Sequence, residues 1–403
     1  GAVLLVAAAA APLVGYWLTN PDDQRLVDLD VYRTGGRAVL EGRPVYEVFT
    51  PAPQLLPFTY PPIAALLAVP LAWLPWPVVQ WGWTAGILLT LGVTVRFAFR
   101  ELLARPGPAA APPVFALVTA ACTYLMPIRD QVRFGQVGTL LVMLCVVDCL
   151  ARRPWWPRGM LIGLATAIKL TPGVFLIYLL VTGYGPGGTA EQRRALHLAV
   201  FTTALLTLGP FLVIPQDAAD FWFSALLDPE RLGANTATTN QSLRGMLLRL
   251  YLPDGLTTLL WLALAGVVGW YGFRAARRAC HAGDPVAGVA LTGMTAVLIS
   301  PVSWIHHLAW VVVALAALAG AGRLWAAAGV WLYYTLPVPW WGVALRAAEI
   351  PVVSPVLGRI VQNAFGLGAV ALLVLLARQA DRRAGRRPGP PSPRISPSEE
   401  FSR

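Results

Sequence analysis

Apolar runs alternate with short breaks rich in proline, arginine or other polar residues along almost the whole chain. The runs lie at about 2–18, 77–98, 112–127, 136–151, 158–170, 172–184, 195–215, 256–274, 284–300, 305–320, 323–340 and 357–377. A membrane-spanning helix needs about 20 mostly apolar residues, fewer where it is broken. The pattern predicts an all-α integral membrane protein with about twelve transmembrane helices. Segment 60–76 is also apolar, but Pro61, Pro62, Pro70, Pro75 and Pro77 interrupt it. We expect a half-helix dipping into the outer leaflet, where irregular backbone is tolerated if protein or a water-filled cavity covers it. Ala2–Leu18 resembles a signal-peptide core, yet nothing after it reads as a secreted soluble domain, so we read it as the first span. The chain starts at Gly1 without a methionine, and native residues upstream are expected.

Composition sharpens this picture. Hydrophobic residues make up 57% and charged residues 13%, against about 45–50% and 25% in soluble domains. The 16 tryptophans suit membrane–water interfaces. Cys122, Cys145 and Cys149 lie in apolar stretches, and with Cys280 they show no paired zinc spacing; they read as small buried hydrophobes. The net charge of +11 sets topology rather than marking a nucleic-acid partner.

With the N-terminus inside, the inner loops carry Arg96, Arg100 and Arg105; Arg152, Arg153 and Arg158; Arg193 and Arg194; Arg274, Arg277 and Arg278; and Arg323. The positive-inside bias then holds at every inner loop. Residues 1–377 form the membrane domain, and 378–403, rich in Arg, Pro and Ser, read as a disordered basic cytoplasmic tail near anionic lipids. No internal repeat is visible, which argues against inverted-repeat transporters.

The outer loops fall at about 19–76, 128–135, 216–255, 301–304 and 341–356. Two are long, so the asymmetry points to chemistry on the outer face. Asp28, after the apolar pair Leu26-Val27, can act as a general base on a hydroxyl or cap a short helix. Lys169 stands within an apolar segment just before Thr171-Pro172; it can snorkel to the interface or hold a phosphate. Asn240-Gln241-Ser242 suits hydrogen bonding to sugar or phosphate oxygens, or a helix N-cap. Arg129 and Arg133 stand on the outer side against the positive-inside bias, as anion ligands or as partners of Asp130. In Ser300–His307, the adjacent His306 and His307 lack a third ligand at zinc-like spacing. They suit donation to a phosphate. Trp304 can stack under a sugar or anchor the interface.

These motifs occur in a fixed order: Asp28 and Tyr32; Pro57-Phe58-Thr59-Tyr60-Pro61-Pro62; Gly135-Gln136; Ile168-Lys169-Leu170-Thr171-Pro172; Asn240-Gln241-Ser242; and Ser300-Pro301-Val302-Ser303-Trp304-Ile305-His306-His307. The ordered set resembles the actinobacterial polyprenol-phosphate-mannose-dependent mannosyltransferases of the glycosyltransferase-C superfamily, over about residues 20–310. The resemblance implies inverting transfer of a sugar, mannose with an alpha-1,2 linkage, from a polyprenyl phosphate to a glycolipid or glycan acceptor at the outer face of the plasma membrane. It maps the catalytic base onto Asp28, with Asp30 as a second carboxylate. It maps the family's histidines onto His306 and His307. Arg129, Arg133, Gln136, Lys169, Asn240, Gln241, Trp304, Asp30, Tyr32 and Tyr60 are the expected donor-phosphate or sugar contacts. The lipid donor is a substrate, so no cofactor is required; a divalent metal is compatible but not indicated. The competing reading is a secondary transporter or lipid-linked-sugar flippase. It would need acidic groups at mid-membrane, and Asp148 is the one strong candidate within a span.

Overall fold

The computed structural model describes residues 1–21, 24–228, 231 and 233–385. Among these residues the regular structure is helical, with two isolated β-bridges, Phe49 to Pro57 and Asn240 to Trp304. The first part of the chain forms α1 (Ala2–Leu18), α2 (Val27–Leu40), α3 (Pro62–Trp73), α4 (Trp76–Ala98) and the single turn α5 (Arg100–Leu103). Then come α6 (Gly107–Thr123), α7 (Met126–Phe134), α8 (Gly138–Leu150), α9 (Met160–Ile168) and α10 (Val174–Tyr184). The middle holds α11 (Ala190–Leu208), α12 (Pro210–Val213), α13 (Pro215–Phe223) and α14 (Leu243–Leu248). The last part is α15 (Asp254–His281), α16 (Pro285–Ile299), α17 (Val311–Gly320), α18 (Leu324–Thr335), α19 (Val338–Ala347), α20 (Val353–Gln362) and α21 (Ala364–Ala384).

Four of these are long and apolar enough to cross a membrane: α4, the continuous Ala190–Val213, α15 and α21. The pair α6 and α7, bent by 74° at the break between them, makes a fifth if it is one span. Most of the other apolar runs form helices of 10–17 residues, rising about 15–25 Å at 1.5 Å per residue, less than the roughly 30 Å of hydrocarbon. The breaks have local causes. Pro172 lacks an N–H and stops one helix between α9 and α10, where Lys169 turns to extended backbone. Ser300-Pro301 ends α16 before a 3₁₀ turn, Ile305–Trp310, leads into α17. Segment 60–76 forms the short α3 and the start of α4, broken at Leu74.

α16 and α17 are buried along nearly their whole length, as helices apolar on every side should be. Phe175 of α10 stacks on Trp310 with ring centroids 5.0 Å apart. The arginine-rich loops converge on one end of this body. There Arg100 donates to the Leu150 carbonyl (3.0 Å), Arg105 to that of Gly320 (2.8 Å) and Arg277 to that of Pro186 (3.0 Å). Arg278 pairs with Asp381 (3.1 Å) and Arg383 with Asp284 (2.5 Å). These pairs correct the expected start of the disordered tail. Residues 378–384 continue α21, because its last turns are held to α15 and α16; residues 386–403 lie outside the described set. The expected loop 341–356 is also partly helical, in α19 and α20.

Candidate active site

The site is built where helices break, at the end opposite the arginine loops. Leu26 precedes α2 in the left-handed region (φ 52°), a conformation that persists in a non-glycine residue only where its surroundings enforce it. Its N–H donates to the Arg133 carbonyl (2.7 Å). On the facing segment Gly135 caps α7 with φ +68°, and a Cβ there would lie 2.7 Å from that of Leu29. The position therefore requires glycine. This close crossing sets the first turn of α2, with Asp28, against Gln136.

Gln136 ties the site together. Its Oε1 accepts from the hydroxyls of Tyr32 and Tyr60 (both 3.3 Å), which lie 2.9 Å from each other. Its amide N–H₂ is left to donate to Asp28. Lys169 Nζ donates to the Tyr60 hydroxyl (3.2 Å), lies 3.2 Å from His307 Nε2 and stands 4.8 Å from the centre of the Tyr60 ring. Lys169 is the only lysine in the chain. Among the described residues His306 Nε2 has no hydrogen-bond partner. The turn carrying them is fixed by Gln131, whose amide donates to the His306 carbonyl (2.7 Å).

Asp28, Tyr60, Gln136, Lys169, Trp304, His306 and His307 line one cavity of about 830 Å³. Burial pushes the Asp28 carboxyl up to about 6, opposed by the hydrogen bond from Gln136 and the charge of Lys169. A carboxylate titrating there can take a proton from a hydroxyl, and the cation and imidazoles that line the same cavity can hold an anion. Among the described residues no three of His, Cys, Asp and Glu gather as a metal-ion group.

The sequence model of Glycosyltransferase family 87 matches residues 58–301, from the Tyr60 loop to the start of the histidine segment. The chain belongs to glycosyltransferase family 87. Two curated relatives are named polyprenol-phosphate-mannose-dependent alpha-(1-2)-phosphatidylinositol mannoside mannosyltransferase. The one from Mycolicibacterium smegmatis is 36% identical, over 76% of this chain and 72% of its own. The one from Mycobacterium tuberculosis is 35% identical, over 77% and 74%. A second M. smegmatis protein, named as the corresponding phosphatidylinositol pentamannoside mannosyltransferase, is 34% identical over 84% and 81%. No solved structure matches.

In this family-87 enzyme several predicted contacts sit away from the cavity. Asp30 is two residues beyond Asp28, about 200° round the helix; it is half-buried near Arg33 and Arg37 and absent from the lining. Arg129 and Arg133 are also outside it: both charges act on buried Asp130, and Arg133 lies over the rings of Trp17 (4.8 Å) and Phe134 (5.0 Å). Asn240 and Gln241 are 0% exposed. The Asn240 Oδ1 accepts from the Ser303 N–H (3.0 Å) and the Ser242 hydroxyl (2.9 Å). Gln241 donates its amide to the Gln362 carbonyl (3.0 Å) and accepts from Gly366 N–H (2.8 Å). Their polar groups are spent on the scaffold beneath the histidine turn, so these two residues shape the site without facing it. Ser242 caps α14, accepting from Gly245 N–H (3.0 Å).

Tyr32 stands just behind the lining. Five polar lining residues are not among the expected contacts: Thr59, Thr171, Asp228, Arg231 and Ser300. Arg231 donates to the carbonyls of Tyr46 (2.7 Å) and Phe58 (3.3 Å). Its signal in the sequence is the one that drew attention to Arg129 and Arg133, an arginine in a loop expected outside.

Proposed function

We propose that this membrane glycosyltransferase moves mannose from polyprenyl phosphate mannose to a mannose hydroxyl of a phosphatidylinositol mannoside, forming an alpha-1,2 linkage with inversion. The observation that carries the reading is that Asp28, Lys169, His306 and His307 line one cavity. Asp28 takes the proton of the acceptor hydroxyl as its oxygen bonds to the anomeric carbon. The bond from that carbon to the phosphate oxygen breaks, and polyprenyl phosphate leaves as an anion beside Lys169 and the two imidazoles. Gln136 orients Asp28. A phosphate leaving group needs no general acid, and no cofactor is required.

An apolar groove of about 390 Å³, lined by Leu71, Val78, Trp83 and Ile87 among others, reaches Gln136, which also lines the reaction cavity. In our reading it takes the prenyl chain of the donor. The short helices pair into about twelve membrane passes, with the arginine end in the cytoplasm and the cavity open to the outer side of the plasma membrane. Asp148 does not favour the transporter alternative. Its carboxylate accepts from the N–H groups of Gly159 (2.9 Å) and Ile162 (3.0 Å) at the arginine end, in the manner of a helix cap.

The test is transfer of radiolabelled mannose from polyprenyl phosphate mannose to a phosphatidylinositol mannoside pool by purified protein. Wild type should move label, and Asp28→Asn should lose about 10²- to 10⁴-fold in rate while still binding donor. Transfer by neither, with both proteins folded, would sink the donor assignment.

A further inference from the structure

The hairpin α19–α20 is built inside out. In α20 every fully exposed residue is apolar, whereas the buried positions are Ser354, Gly358 and Gln362. α19 repeats the pattern, exposing Trp340, Trp341, Val343, Ala344 and Ala347. Trp341, Val343, Val352, Val356, Leu357 and Ile360 are 40–73% exposed. Ser354 and Gln362 face inward and are used, while the charged Glu349 is exposed in the turn between the helices. The Ser354 hydroxyl donates to the Leu345 carbonyl (2.7 Å) and accepts from Ile350 N–H (2.8 Å). The Gln362 amide donates to Thr238 Oγ1 (2.7 Å), and its carbonyl oxygens accept from Arg346 (3.2 Å) and from Gln241 (3.0 Å). The two helices touch closely: a Cβ on Gly342 would lie 2.1 Å from the Gln362 nitrogen.

A hairpin bathed in water would carry the opposite polarity. Each helix has 10 residues and rises about 15 Å, half of the roughly 30 Å hydrocarbon thickness, so the hairpin cannot cross. It links the cavity-side ends of α18 and α21, and its Arg359 lies 5.3 Å from the centre of the Tyr251 ring, just before α15, where Leu256, Leu259 and Leu262 are likewise uncovered. We infer that α19–α20 is a re-entrant hairpin whose outer face rests among the lipid acyl chains of the leaflet on the cavity side. Through Gln362, Gln241 and Ser303, this lipid-seated element is hydrogen-bonded to the backbone that carries His306 and His307. Its seating fixes the height of the histidine turn relative to the lipid surface. The lipid contact does not depend on which side of the membrane the cavity faces.

The test uses the full chain in liposomes with single cysteines at Val352, Val356 or Ile360, labelled with a nitroxide. Leu259→Cys serves as the lipid-facing reference and Arg43→Cys, in an exposed loop, as the aqueous one. The labelled wild type supplies the background of the native cysteines. At Val356 and Ile360 the label should collide with oxygen as freely as at Leu259 and be equally shielded from a water-soluble nickel chelate. Nickel access at the level of Arg43 would overturn the inference. So would immobilised labels broadened by spin–spin coupling between molecules, which would mean that a second copy covers the face.

Discussion

Two polar clusters lie on either side of the turn 300–307, and they differ in what they leave undone. The cluster beneath it, Asn240, Gln241 and Ser242, is fully buried, and its side chains bond to named partners within the protein. The cluster above it, Asp28, Gln136, Lys169, His306 and His307, opens on a large cavity, and His306 Nε2 has no partner among the described residues. A buried polar group left unpaired is costly. The open cluster has room for a ligand that would complete it, whereas the closed one is satisfied within the protein. Both are made of residue types that hydrogen-bond well, so chemistry alone does not separate them.

Substitutions can break this contrast. Lys169→Met removes the fixed cation of the open cluster and should slow transfer by about 10²- to 10³-fold with the thermal midpoint little changed. A loss of folding instead would make Lys169 a structural residue. Asn240→Ala should act the other way round. Leaving Ser303 N–H unpaired should cost about 1–3 kcal/mol of stability, read as a lowered unfolding midpoint, with a smaller effect on kcat than Lys169→Met. Asp30→Asn, outside the cavity, should change the rate by no more than about twofold; a loss matching that of Asp28→Asn would return Asp30 to the reaction.

The sequence disclosed the helical membrane character and the open cluster, because both leave local marks. Apolar runs mark helices. A lone lysine before Thr171-Pro172 or a pair of histidines after Ser300-Pro301 marks a helix break with a polar group at it. Helix lengths were less legible: runs 158–170 and 172–184 read as two spans, and the chain makes α9 and α10, of 9 and 11 residues, around a break. For Asn240 and Gln241 the local sequence supports a ligand contact and a structural role alike, because an amide serves equally well inside a scaffold or against a sugar. Only the position of Ser303 and Gln362, far along the chain, decides between them. The roles of Asp28 and Asp30 separate once the helix begins at Val27, since two residues of helix turn one carboxylate into the cavity and the other away. The sequence around Arg231 has no periodicity to orient it.

The central claim is that Asp28 is the base, raised by burial and opposed by Lys169. Single-turnover transfer followed against pH tests it most directly. Wild type should gain rate as pH rises through about 6, where Asp28 loses its proton, and level off above. In Lys169→Met the residual rate should rise at a higher pH, because the cation that favours the carboxylate is gone. In Asp28→Asn the limb should vanish. An unchanged limb near pH 6 in Asp28→Asn would contradict the account and place the base elsewhere.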